Sequence, residues 1–170
     1  MRLLIAGLLA FGLSIATVSC DQQESVLAGS AEAPDFTLDL ADGSTFTLSE
    51  ARGDVVLLDF WATWCPPCRA AMPGIQSIHE KYASRGVRVL GVNINDDTAK
   101  ARAYMSDNGF DYGLLVEGDS VAEKYKVTGI PTFFLIGVDG EVVLHHVGGG
   151  ESAADIIEPA LDSYLRKIGR

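Results

Sequence analysis

The chain has 170 residues, 48 % of them hydrophobic, and a formal net charge of −10 from 13 basic and 23 acidic side chains. That length suits one domain with a tail and supplies enough apolar mass for an ordinary core. Affinity for nucleic acid comes mainly from clustered Lys and Arg, so the acidity excludes a phosphate-binding surface and no nucleic-acid partner is expected.

Met1-Arg2 makes a minimal basic start, and Leu3 to Val18 is almost wholly apolar, broken only by Gly, Ser and Thr. This is the pattern of a secretory signal. Its sixteen residues would rise roughly 24 Å as a helix, short of a hydrocarbon core of about 30 Å, so an uncleaved spanning helix is the weaker reading. Thr17-Val18-Ser19-Cys20 resembles a bacterial lipobox, in which the Cys becomes the first mature residue and carries the lipid, although that pattern prefers Leu where Thr17 stands. Ordinary cleavage nearby, leaving Cys20 as a stray thiol or removing it, is the alternative. So acidic a chain gains no help from anionic lipid, and the lipid itself would have to hold it. Asp21 to Ala33 is small and polar without a sustained period and reads as a tether. The expected division is a lipoprotein-type signal peptide over 1–19, lipidated Cys20 with its flexible tether over 20–33, and one domain over 34–170.

Short strand patterns at Phe36–Leu38 and Thr45–Thr47 flank an Asp42-Gly43 turn. Val55 to Ala62 is a continuous apolar run apart from Asp59, the mark of a strand buried on both faces. Pro66 and Pro67 fit the first turn of a helix running to about Arg85, with Gly86 ending it. Val87–Ile94 predicts a second buried strand, Thr98–Asn108 a helix capped by Asp97 or Thr98, and Ser120–Lys126 a short third helix. Thr132–Ile136 and Glu141–Val147 flank Asp139-Gly140 as a hairpin. A last helix, capped by Ser152, should reach about Ile168, with Pro159 kinking or dividing it. The pattern implies an α/β fold with a mixed central sheet and helices on both faces.

Two of the three cysteines, Cys65 and Cys68, stand three apart with only prolines between them. Cys65 falls where a buried strand hands over to a helix, facing unsatisfied N–H groups and the positive end of the helix dipole. Thiols so placed in a Cys-X-X-Cys titrate below the free value of about 8.5, and the thiolate is the attacking species in disulfide exchange. Cys65 is the expected nucleophile, and Cys68, one turn on, the expected resolving thiol. A structural disulfide over so short a loop would contribute only about 2 kcal/mol, against ~4.7 for a hundred-residue loop. A structural zinc site needs four ligands, and beyond the pair only His79, His145 and His146 are available, with no second Cys-X-X-Cys. Asp59, six residues before Cys65, must lose much of its hydration, which raises a carboxyl's pKa toward the range useful in proton transfer. It could lie beneath the disulfide and serve Cys68 through a water; a solvated strand end or bonding to backbone N–H groups is the ordinary alternative.

Trp61-Ala-Thr-Trp-Cys-Pro-Pro-Cys68, the preceding Asp59, Pro73, Gly129-Ile-Pro-Thr132 and Val147-Gly148 together resemble thioredoxin, and especially exported, membrane-tethered thioredoxin-like proteins of the TlpA and ResA type. The resemblance covers nearly all of Pro34 to Leu165. It implies a thioredoxin-like fold with an N-terminal strand extension and a central insertion over Asp96–Asp119. It also implies a cis Ile130-Pro131 beside the disulfide, substrate docking at Trp64, Ile130, Pro131 and Gly148, structural roles for Trp61, Pro66, Pro67 and Pro73, and no cofactor. Many relatives carry Asn where Asp59 stands and place an acid elsewhere, which leaves a role for Glu117 open.

On that basis the chain is expected to be a thiol:disulfide oxidoreductase, a reductant of extracytoplasmic protein cysteines such as those met in cytochrome c maturation. Its partners would be protein dithiol or disulfide substrates, a membrane thiol carrier as electron donor, and the membrane through the lipid anchor, with the chain a monomer. Two alternatives remain. Exported copper chaperones share this fold and use two cysteines with a later His, but neighbouring residues on a strand face opposite ways, so at most one of His145 and His146 can face the site. A peroxiredoxin-like thiol peroxidase begins similarly, but it needs a Thr-X-X-Cys-type site, and Thr63 stands too close to Cys65.

Overall fold

The computed structural model describes residues 31–149 and 152–170. The signal, Cys20 and most of the tether lie outside the described residues. A short antiparallel hairpin, β1 (Thr37–Asp39) and β2 (Thr45–Thr47), precedes β3 (Val55–Trp61), all seven residues of which are buried. Helix α1 (Pro66–Tyr82) follows, then β4 (Val87–Asn93), α2 (Thr98–Asp107), β5 (Gly113–Leu115), α3 (Asp119–Lys124), β6 (Thr132–Ile136), β7 (Val142–Val147) and α4 (Ala153–Lys167). The main sheet runs β5-β4-β3-β6-β7, with β4 and β5 parallel to β3 and β6 and β7 completing an antiparallel edge.

Alternation along β3 divides the core in two. Val55, Leu57 and Trp61 face α1 and α4, against Met72, Ile75, Ile78, Ile157, Leu161 and Leu165. Val56, Leu58 and Phe60 face the other way, against Phe36 and Phe46 of the N-terminal segment and Val121 and Tyr125 around α3. Because both faces are covered, β3 can be apolar throughout, which is why its sequence shows no alternation. Each helix that contains a proline runs through it: Pro73 lies inside α1 and Pro159 inside α4, which is not divided there. A proline costs a helix interior about 3 kcal/mol. Packing offsets that cost, since Met72 and Ile75 around Pro73 and Ile157 and Leu161 around Pro159 are wholly buried.

Three features differ from the sequence expectation. The packed chain starts before Pro34: the Ala33 amide donates to Gly140 O and the Val142 amide to Ala31 O, so the end of the expected tether lies along the start of β7. Strand β5 was not anticipated; its three residues pair with Leu90–Val92, and the Leu40 bridge to Leu115 joins the N-terminal hairpin to that edge. Ser152 stands at the N-cap of α4 without capping it, since its hydroxyl donates to Gly149 O instead. Asp97, by contrast, caps α2 by accepting the Lys100 amide at 3.0 Å.

Gly91 of β4 lies opposite Asp59 in the ladder, and a Cβ there would stand 2.8 Å from Trp61 Nε1 and 3.1 Å from Tyr112 Cε2. Both rings are buried and cannot withdraw. Overpacking of this kind costs roughly 1–3 kcal/mol, so Gly91→Ala should lower the unfolding free energy by that amount, read as a lower midpoint of urea unfolding at an unchanged slope. An unchanged midpoint would mean that the rings above Gly91 are free to move.

Candidate active site

The chemistry gathers where β3 gives way to α1. Cys65 is the N-cap residue of the helix, with extended backbone (φ −94°, ψ 102°), and Pro66 and Pro67 occupy the first two helical positions. Neither proline has an N–H, so the first amide the helix can direct outward is that of Cys68. It donates to Cys65 Sγ at 3.2 Å. The two sulfurs form a disulfide with the Cα atoms 5.3 Å apart. Both cysteines are nearly inaccessible, whereas Pro66 and Pro67 are exposed.

Across from the disulfide, the Ile130–Pro131 peptide is cis, and the Ile130 carbonyl oxygen lies 3.8 Å from Cys65 Sγ. In the disulfide Cys65 has no proton to give, so this is a contact. The loop is held from both sides: the Thr132 hydroxyl donates to Gly129 O at 2.5 Å and the Gly148 amide to Pro131 O at 2.8 Å. Trp64 is 58 % exposed and Val147, next to Gly148, 52 %. Ile130 is half-buried. The structure therefore brings Trp64, Ile130, Pro131 and Gly148 to the disulfide end of the sheet. Val147, named in the sequence only as part of the motif that carries the resemblance and not as a docking residue, adds a second large apolar side chain to that end.

Trp61 is wholly buried in the cluster that holds Cys65, Cys68 and Met72, its ring centroid 6.0 Å from that of Tyr104. Asp59 belongs to the same face of β3, between Gly91 and Phe133 in the ladders. It is 1 % exposed, and neither carboxylate oxygen has a hydrogen-bond partner. The solvated and backbone-bonded alternatives for Asp59 thus both fall away. Burial alone pushes its pKa up to about 8. Trp61 Nε1 and the Tyr112 hydroxyl are likewise buried without partners, and Tyr112 titrates well above the usual tyrosine range because of burial first and the Asp59 charge second. Glu117 is exposed in a left-handed backbone conformation (φ 55°).

His145 and His146 lie on opposite faces of β7, stacked on Phe134 and Phe133 respectively. Burial holds both imidazoles below the ordinary histidine range. Among the described residues no three His, Cys, Asp or Glu side chains gather in a group that could hold a metal ion. Sequence reasoning also missed Asp96, whose carboxylate binds Thr63 in the redox loop. Its place between a strand end and a helix cap gave it no signal of its own.

Two thiols able to trade their bond with another protein's sulfurs, set at the head of a helix on this sheet, are the working part of a thioredoxin-like thiol-disulfide oxidoreductase, and the chain is an enzyme of that class. It belongs to the AhpC/TSA family, whose model matches residues 30–145. Thiol-disulfide oxidoreductase ResA of Bacillus subtilis is 32 % identical over 83 % of this chain and 79 % of its own length. ResA of Geobacillus kaustophilus is 35 % identical over 82 % and 80 %. Among solved structures, a protein described as thiol:disulfide interchange protein DsbE from Chlorobium tepidum superposes with a TM-score of 0.73 at 34 % identity, covering 79 % of this chain and 95 % of that one.

The buried carboxyl makes stability depend on pH. Unfolded, Asp59 titrates near 3.9; folded, near 8. Between about pH 4 and 8 the native state keeps a proton that the unfolded state has lost, so stability falls as pH rises through that window. At about 1.4 kcal/mol per pKa unit the full effect is on the order of 5 kcal/mol. Asp59→Asn should flatten this decline and be the more stable protein at pH 8, as read by denaturant unfolding at pH 5 and pH 8. Parallel losses in the two proteins would refute a carboxyl held neutral by burial.

Proposed function

We infer that the enzyme reduces disulfides in extracytoplasmic proteins, with Cys65 attacking and Cys68 resolving. The observation that carries this reading is the Cys68 N–H directed at Cys65 Sγ at the start of α1. A hydrogen-bond donor and the positive end of a helix both favour sulfur as an anion there. The Cys65 thiolate attacks one sulfur of the substrate disulfide, which releases the other as a thiolate and leaves a mixed disulfide. Cys68 then attacks Cys65 Sγ. The substrate departs as its second thiolate, the Cys65–Cys68 disulfide forms, and two electrons have passed to the substrate.

Cys68 must lose a proton before it can attack. Asp59, under α1 on the same face of β3, is the acceptor in this reading: with a pKa near 8 its carboxylate is the minor form at neutral pH, but it is a far stronger base than an ordinary carboxylate and close to a thiol in proton affinity. Substrate docks as an extended segment along Ile130 and cis Pro131, with Trp64 and Gly148 flanking it. A membrane thiol carrier returns electrons to the Cys65–Cys68 pair. Export on the N-terminal signal, a lipid on Cys20, a monomeric state and a role in cytochrome c maturation complete the proposal. They draw support from the apolar N-terminal run, the lipobox-like residues and the family resemblance.

Cys68→Ser should accumulate mixed disulfides with exported proteins, seen as adducts on non-reducing gels and abolished by adding Cys65→Ser. A clean gel would count against exchange through Cys65. Measured against glutathione, the potential of the pair should lie toward the roughly −270 mV of reducing dithiols. A value near the roughly −120 mV of strong oxidants would reverse the assigned direction.

A further inference from the structure

The segment between β4 and α2 is bound to the redox loop by side chains that take no part in sulfur exchange. Asp96 Oδ2 accepts the Thr63 amide at 2.5 Å and Asn93 Nδ2 at 3.2 Å, while Oδ1 accepts the Thr63 hydroxyl and the Asp97 amide, each at 2.9 Å. One residue earlier, the Asn95 carbonyl accepts Trp64 Nε1 at 2.8 Å. Asn95 sits in the left-handed region (φ 49°), and its own amide donates to Asp119 Oδ1 at 2.9 Å. The Ile94 amide donates to Trp61 O at 3.1 Å. Trp61, Thr63 and Trp64 are thus each fastened to the stretch 93–96. Partial burial of Asp96 works to raise its pKa, but the donors from Thr63, then Asn93 and Asp97, outweigh it and keep the carboxylate charged at neutral pH.

A largely exposed tryptophan would ordinarily sample several rotamers and lose that freedom when a partner docks. Here the indole is tied at its nitrogen and its backbone is anchored through the preceding residue. We propose that Asp96 is a positioning residue that locks Thr63 and Trp64, so that the docking face beside Cys65 is preformed for an extended, cysteine-bearing protein segment. The β4–α2 loop then governs recognition of protein substrates and leaves the reactivity of the sulfur alone. The inference rests on the docking role given to Trp64 above.

The test compares the full chain and its variants on insulin, a protein disulfide, turned over with dithiothreitol as reductant and corrected for its direct reaction, and, pre-reduced, on oxidised glutathione, which is too small to span the docking face. Asp96→Ala should raise the KM for insulin about fivefold or more with kcat within twofold, and should change single-turnover reaction with oxidised glutathione by less than twofold. Asp96→Asn can turn its remaining oxygen to the Thr63 amide and its NH2 to the Thr63 hydroxyl, giving up only the bond from the exposed Asp97 amide, so it should restore the insulin KM to within about twofold. Equal losses on both substrates, or an unchanged insulin KM in Asp96→Ala, overturn the proposal. Trp64→Ala separates the two readings. If it raises the insulin KM while Asp96→Ala does not, only the positioning role fails; if it leaves that KM unchanged, the docking reading fails and takes this one with it. Should Asp96→Ala not fold, Asp119→Ala, which frees the Asn95 amide from outside the site, must raise the insulin KM in the same direction or the proposal falls.

Discussion

One hydrogen bond, from the Cys68 amide to Cys65 Sγ, is the point on which the site turns. It exists because a fully buried strand must end abruptly at Trp61 and because two prolines then open the helix. An ordinary helix presents several free amides in its first turn. Pro66 and Pro67 remove theirs, so the outward donation near the sulfur comes from Cys68 itself, within the pair that must exchange. Opposing it is the Ile130 carbonyl, whose negative end lies 3.8 Å from the same sulfur and disfavours an anion there. The amide is nearer, at 3.2 Å, and has the helix dipole behind it, which is the balance the proposed attack by Cys65 requires.

The second constraint works against stability. Asp59, Trp61 Nε1 and the Tyr112 hydroxyl belong to one cluster on the α1 side of the sheet, all buried and none with a protein partner. An unmade hydrogen bond at a buried polar atom costs roughly 1–3 kcal/mol. The surrounding core can bear that, because Leu57, Met72, Ile75, Phe133 and Leu135 pack around it wholly excluded from water. Gly91 matters here in a simple way: any larger residue would intrude on the Trp61 and Tyr112 rings that close off the carboxyl from the β4 side. Dryness is what lifts the Asp59 pKa, so the same packing that costs hydrogen bonds creates a group able to hold or release a proton near neutral pH.

How far the sequence could be read depended on how local each signal was. The unbroken apolar run of β3, the proline pair at the start of α1 and Gly86 at φ 73° beyond its end are short-range features, and they place Cys65, Cys68 and Asp59 without further information. Strand β5 is three residues, Gly-Leu-Leu, whose extended form comes from pairing with Leu90–Val92, 23 positions earlier in the chain though adjacent in space. Ala31–Ala33 looked like tether because small residues carry no period; what orders them is backbone hydrogen bonding to Gly140 and Val142, more than a hundred residues on. The opposed faces of His145 and His146 follow from strand alternation alone, whereas their stacking on Phe134 and Phe133 required the β6–β7 register. The cis geometry of Pro131 was implied by resemblance and by nothing in the composition of the loop.

Asp96 escaped notice for the same reason, and its neighbours show how much a loop can be asked to do. In three successive residues, the Asn95 carbonyl holds the Trp64 indole, the Asp96 carboxylate holds Thr63, and the Asp97 carboxylate caps α2. A carboxylate that accepts four donors is far stiffer than a carbonyl that accepts one, since shifting it would take the acceptor from the Thr63 amide and hydroxyl, the Asn93 side-chain amide and the Asp97 amide at once. The loop's position is therefore set at Asp96, and Asn95 and Asp97 are carried with it. Because α2 starts from that fixed point and α3 supplies the Asp119 carboxylate that steadies Asn95, the central insertion braces the redox loop from two helices. The part of the chain that lies beyond the sheet's catalytic end in sequence is thus mechanically continuous with it in space.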